Sequence, residues 1–144
     1  MEVFFEDVKA PPPARVRLGR WLFYDTRLSA DNTIACASCH KPEHAFSETT
    51  PVSTGIRGEK GTRKAPSFVN RAVTLAPHFF SDGRASSLED QVLGPVANPI
   101  EMGNTHEAMI QTLSGVPGYT PYFKEAFGTE EIEPRRSRMK AGSW

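Results

Sequence analysis

Neither sign of charge is in excess: 17 Lys and Arg balance 17 Asp and Glu over 144 residues. No basic field argues for nucleic acid, and no acidic surplus for a basic partner. No apolar run approaches the roughly 20 residues that a membrane helix needs, so no membrane span is expected. The start, Met1-Glu2-Val3-Phe4-Phe5-Glu6-Asp7, lacks the basic segment and long apolar core of a secretion signal. Cysteine is scarce, with only Cys36 and Cys39, which excludes a disulfide framework. Hydrophobic residues reach only 38%, whereas Gly (11) and Pro (12) are plentiful enough to predict much loop. The length suits one domain with its own core. That domain is expected over 1–132. From Glu133 the chain turns basic and aperiodic, and 133–144 is expected to be a disordered or non-native tail.

After Pro11-Pro12-Pro13, apolar residues at Ala14, Leu18, Trp21 and Leu22 have helical spacing, and the prolines suit a helix entrance. This helix should stop near Asp25. Residues 25–35 read as a loop, and Lys41 to Ala65 as a long surface loop with Gly55, Gly58 and Gly61. A short helix is expected within Pro66 to Ala76, and Ser81-Asp82-Gly83-Arg84 reads as a turn. Ser86 with Glu89 forms a capping box for a helix whose inner face is Leu88, Val92 and Leu93, ended by Gly94-Pro95. A further helix from about Thr105 to Ser114 would bury Met109, Ile110 and Leu113. Thr120-Pro121 opens a last helix through Phe123 and Phe127, closed by Gly128.

The most specific chemistry is Cys36-Ala37-Ser38-Cys39-His40. Two thiols at this spacing can add to the two vinyl groups of one haem, and the adjacent His40 then reaches the iron as an axial ligand. A redox C-x-x-C pair would want a preceding βαβ pattern, and a zinc site a second Cys/His pair. Neither is present. A porphyrin would also supply apolar interior that this composition lacks.

His40 fills one axial position, and the other decides function. An imidazole or thioether there makes an electron carrier; an open position makes a haem that can bind peroxide. The possible sixth ligands are His44, His78, His106, Met102 and Met109, of which Met102 is the main alternative and His44 is too near His40 in sequence to reach the opposite face. On the peroxide side, Glu101 lies among Pro99, Ile100 and Met102, surroundings that can raise a carboxyl pKa towards working pH. Gln91 could donate and accept hydrogen bonds to the same ligand. A solvated loop carboxylate and an ordinary helix-surface amide remain the plain alternatives for these two.

Several short blocks occur in order: Leu18-Gly19-Arg20-x-Leu22-Phe23-Tyr24-Asp25-x-Arg27-Leu28-Ser29, the Cys36–His40 motif, Gly61-x-Arg63-x-x-Pro66-Ser67, Asp82-Gly83-Arg84-Ala85, Leu88-Glu89-x-Gln91, Asn98-Pro99-x-Glu101-Met102, and Pro117-Gly118-Tyr119 leading to Phe123 and Phe127. From Leu18 to Gly128 the chain resembles the N-terminal, peroxidatic haem domain of bacterial di-haem cytochrome c peroxidases and the related MauG-type proteins. The resemblance implies a mainly α, cytochrome c-like helical domain with long loops wrapped around one covalent haem c. It implies two-electron reduction of hydrogen peroxide, and periplasmic residence with a leader that this chain does not carry. It assigns Glu101 and Gln91 to the distal, catalytic side and brings Phe80 close to the same pocket.

The departures from the family pattern also carry expectations. There is no second C-x-x-C-H, so electrons would come from a small redox protein or from a missing C-terminal haem domain. The Gly55–Gly61 loop lacks the His that blocks the iron in many members, which implies an open distal face. Ser81 replaces a Trp before Asp-Gly-Arg. Lys64 stands where the family's calcium site uses an Asn, and an ammonium cannot ligate calcium, so calcium is not expected. Two other readings stand beside peroxide reduction: a mono-haem electron-transfer cytochrome with a Met or His sixth ligand, and MauG-like oxidation of a protein substrate.

Overall fold

The computed structural model describes residues 11–71 and 78–132. The tail from 133 and residues 72–77 lie outside the described residues. Five α-helices stand out: α1 (Pro13–Tyr24), α2 (Cys36–Cys39), α3 (Leu88–Ala97), α4 (His106–Ser114) and α5 (Thr120–Phe127). The chain is mainly helical, and its β pairing among the described residues is confined to isolated bridges.

The proline entrance of α1 forms as expected. Pro12 is the N-cap, and its carbonyl accepts the first amides, Arg15 N–H at 2.9 Å and Val16 N–H at 3.2 Å. Leu18 is buried, with Ala14 and Leu22 packed beside it. Trp21 differs from the sequence reading: it is 56% exposed, and its ring meets Tyr122 of α5 at 6.1 Å. It therefore seals the rim of the α1–α5 contact instead of filling the core. That contact also carries an ion pair between Arg17 and Glu125, and Arg15 bonded to the Ala126 carbonyl.

Helix α3 departs from its expected bounds at both ends. Ser87, not Ser86, caps it, accepting the Asp90 amide at 3.0 Å, while Ser86 bonds the Asp90 carboxylate. Gly94-Pro95 does not end it. Proline costs only its own N–H bond and clash, and Asn98 N–H still reaches the Gly94 carbonyl at 3.1 Å. Its core contact is Val96, whereas Leu88 is 37% and Val92 55% exposed. Helix α4 is capped by Thr105 and buries Leu113, with Met109 against the core. Helix α5 ends at Gly128, which takes the left-handed conformation (φ 75°) that suits a C-cap.

Leu18, Leu28, Val96, Met102, Leu113, Tyr119, Phe123 and Ala126 form the core where α1, α3, α4 and α5 meet. Asp25, at the end of α1, is nearly buried. Arg27 binds its carboxylate through two nitrogens at 2.8–3.1 Å, and the Tyr119 hydroxyl donates to it at 2.6 Å. Burial raises the Asp25 pKa, but these hydrogen bonds outweigh it and leave the carboxyl below its ordinary value. Burial, and then the hydrogen bond and charge of Asp25, push the Tyr119 phenol up to about 12.

The loop from Lys41 to Ala65 is more organised than its sequence suggested. Bridges join Lys41 to Ser47 and Thr54 to Lys60. The buried Glu48 carboxylate accepts the Ser53 hydroxyl and, at 3.1 Å, the Ala65 amide, drawing the two ends of the loop together. Of the short helix expected between Pro66 and Ala76, the part from 72 lies outside the described residues; before it, a turn at 69–70 leads into a 3₁₀ conformation at Arg71, whose N–H bonds the Phe68 carbonyl at 3.1 Å.

Candidate haem site

The thiols of Cys36 and Cys39 stand three residues apart on the single turn α2, so they share a face. Both are half-buried and neither is in a disulfide. Burial raises the Cys36 pKa. Cys39 is pushed up to about 11 by burial and then by the charges of Glu48 and Glu101.

His40 ends this turn, its amide on the Cys36 carbonyl. Its Nδ1 lies 2.9 Å from the Phe46 carbonyl. A carbonyl only accepts, so Nδ1 carries the proton and the neutral ring keeps its lone pair on Nε2. This is the tautomer that a metal-binding histidine needs, with the outer bond fixing the ring's orientation. To aim the carbonyl, Ala45 and Phe46 both adopt positive φ, 52° and 58°. Phe68 lies against the imidazole at 5.2 Å and joins Phe46 and Phe23 in an aromatic cluster. Two thiols on one face and an imidazole with a prepared Nε2 are the donor set for covalent haem with one axial ligand.

Glu101 lies close enough to this centre for its charge to act on Cys39 and for His40 to act on it. It is half-buried, and burial raises its pKa against the opposing pull of the Asn98 hydrogen bond, Arg84 and His40. Asn98 Nδ2 donates to Glu101 Oε1 at 2.9 Å. The backbone of Glu101 is gripped from the far loop: Ile56 N–H donates to its carbonyl at 2.9 Å, and a Cβ on Gly55 would stand 2.0 Å from the Ile100 carbonyl oxygen. Ile56 is 0% exposed and is packed so closely under Gly103 that a Cβ there would come within 2.2 Å of its Cδ1.

Gln91 is half-buried on α3, seven residues before Asn98 and three before Gly94, so the three share one stripe of the helix. Phe80, at φ 60°, brings its ring to Gly94, where an added Cβ would be 3.2 Å from Cζ. Arg84 lies over that ring, 3.5 Å from its centre, and pairs with Asp82 at 2.6 Å. Phe80 and Arg84 also line a cavity of about 470 Å³ with His78, Ser86, Asp90 and Gly94.

The other possible sixth ligands have places elsewhere. Met102 is 3% exposed within the hydrophobic core, and Met109 packs against that core. The His106 ring is bonded to the Leu93 carbonyl at 3.0 Å. His44, in the 3₁₀ turn that follows His40, and His78 are exposed. Sequence reasoning missed the Phe46 carbonyl, the Phe23–Phe46–Phe68 cluster, Asn98 and the Gly55–Ile56 grip. Only Asn98 carried a signal, since Asn-Pro starts turns.

The profile of the family described as di-haem cytochrome c peroxidase matches residues 13–141. The cytochrome c551 peroxidase of Nitrosomonas europaea is 37% identical over 130 residues, covering 88% of this chain and 38% of that protein. The methylamine utilization protein MauG of Methylorubrum extorquens is 40% identical over 125 residues, covering 85% of this chain and 35% of that protein. Among solved structures, the diheme peroxidase BthA of Burkholderia thailandensis superposes with a TM-score of 0.73 at 31% identity, over 84% of this chain and 34% of that one. The chain thus spans little more than a third of the length of these relatives. No helix among the described residues is long and apolar enough to cross a membrane. With nearly its whole length inside the family profile, the chain belongs to the di-haem cytochrome c peroxidase family.

Proposed function

We propose that this chain is a peroxide-reacting haem domain: it binds one haem c through Cys36, Cys39 and His40, leaves the opposite face open, and reduces hydrogen peroxide to water. The observation that carries this reading is Glu101, a half-buried carboxyl whose pKa burial raises, held by the Asn98 amide on its side chain and the Ile56 amide on its carbonyl. When bound, the haem supplies the redox chemistry at iron. His40 Nε2 would hold the iron, and the Phe46 carbonyl on Nδ1 keeps the ring in the tautomer and orientation for it. Glu101 accepts one proton of peroxide and returns it to the departing oxygen, work that a desolvated carboxyl suits better than a solvated one. Gln91 donates and accepts hydrogen bonds to orient the peroxide, and Phe80 walls the pocket. The balance is one peroxide, two electrons and two protons giving two waters. The electrons come from a C-terminal haem domain or a small redox protein, the location is the periplasm, and calcium has no part.

Peroxide turnover with a reducing dye tests the assignment. Glu101→Gln should lower the rate by about 10²–10⁴-fold, and an unchanged rate sinks the role of Glu101. An EPR spectrum of the oxidised holoprotein tests the open face, which a purely low-spin signal would exclude. The 40% identity to MauG supports a second reading, oxidation of a protein side chain at the same centre. There Glu101 and Gln91 keep their tasks, and the electrons come from the partner protein.

A further inference from the structure

We propose that Asn98 is the positioning residue for Glu101: its side-chain amide holds the carboxyl in the orientation that takes and returns the proton. The inference rests on the acid–base role of Glu101 proposed above.

Two bonds fix the Asn98 amide. Its Oδ1 accepts the Ile100 N–H at 3.1 Å, and its Nδ2 donates to Glu101 Oε1 at 2.9 Å. A backbone N–H can only donate, so the atom facing Ile100 must be the oxygen, and the NH₂ group necessarily points at Glu101. The Asn98 carbonyl accepts the amides of Glu101 at 3.1 Å and Gly103 at 2.8 Å, closing the turn that carries the acid. From the opposite side, Gly55 and Ile56 clamp the Ile100–Glu101 backbone. Main chain and carboxyl are therefore held by separate groups, with the Asn98 amide as the donor to the carboxyl. The charged and titratable groups acting on Glu101 are Arg84, from the turn before α3, and His40 and Cys39 on the α2 side.

The position allows a test that separates orientation from turn building. Asn98→Asp keeps an oxygen for the Ile100 amide but turns a second oxygen on Glu101. It removes the donor and adds repulsion, and both changes favour the protonated acid. Asn98→Ser also keeps a cap for the turn, and is too short to reach Glu101. Ferric holoprotein of each variant is mixed with hydrogen peroxide across pH, and the Soret change is followed in a single turnover beside thermal unfolding. Glu101 works as a base in the first step, so the rate rises as pH passes its pKa. In Asn98→Asp this rise should move to higher pH. At neutral pH the rate should fall about tenfold, the scale of one lost hydrogen bond to a charged group, with little change in melting temperature. The effect should vanish in a Glu101→Gln background. A wild-type rate and pH profile in both Asn98 variants overturns the proposal, as does an equal slowing with and without Glu101. If Glu101→Gln reduces the rate while Asn98→Asp does not, the positioning role alone fails. If Glu101→Gln has no effect, the acid–base reading falls and this proposal with it.

Discussion

At Gly55, one added methyl group would meet two carbonyl oxygens, those of Ile100 at 2.0 Å and Glu101 at 2.5 Å. Backbone cannot rotate away as a side chain can. Gly55→Ala should therefore cost about 1–3 kcal/mol, the usual scale of overpacking, seen as a lower urea midpoint. It should also slow the peroxide reaction, because what moves is the main chain of Glu101. Gly55 stood in the sequence as one loop glycine among several, and its tight approach depends on a segment far along the chain. The Cys36–His40 motif was legible because its three reactive groups are adjacent and their chemistry is local. Glu101 and Gln91 are a different case: their residues alone left the plain readings open, and ordered family blocks pointed to them. The Phe46 carbonyl was invisible, since a main-chain oxygen has no letter.

Among the elements, α1, α4 and α5 were legible because their ends are marked by proline, Thr105 and Gly128, and capping is local. Helix α3 overran its predicted stop, since a proline near a C-terminus removes one bond without dissolving the turns on either side. The 41–65 loop was not legible, because Glu48, Ser53 and Ala65 join across the fold and leave no periodic trace. The link between α1 and α5 makes its own prediction. The folded Asp25 carboxyl lies below its ordinary value, so its contribution is full above the unfolded carboxylate pKa of about 3.9. It is lost as pH falls through the folded pKa. Tyr119→Phe should reduce stability at neutral pH by about 1–2 kcal/mol. In Asp25→Asn the loss on acidification should be smaller than in wild type. Urea titrations at a series of pH values measure both.

Across the whole molecule, the helical core and the Gly55–Gly61 loop both reach the segment that carries Glu101. Purified holoprotein should carry one haem per chain, retained under denaturing conditions and lost when Cys36 and Cys39 are both changed to Ala, as the pyridine haemochrome spectrum reports. Calcium or a chelator should leave the ferric spectrum unchanged, because the Lys64 side chain offers an ammonium and no oxygen ligand. The two meet at consecutive residues: Met102 is anchored in the core, and Glu101, its carbonyl bonded by the Ile56 amide, acts by its charge on Cys39. Scaffold and reactive group are thus neighbours on one peptide unit. Anyone seeking hardier variants by repacking the interior will find position 102 a lever on the chemistry. Gains in heat tolerance selected there will be tangled with turnover, whereas those at the outward-facing Trp21 and Val92 will be free of it.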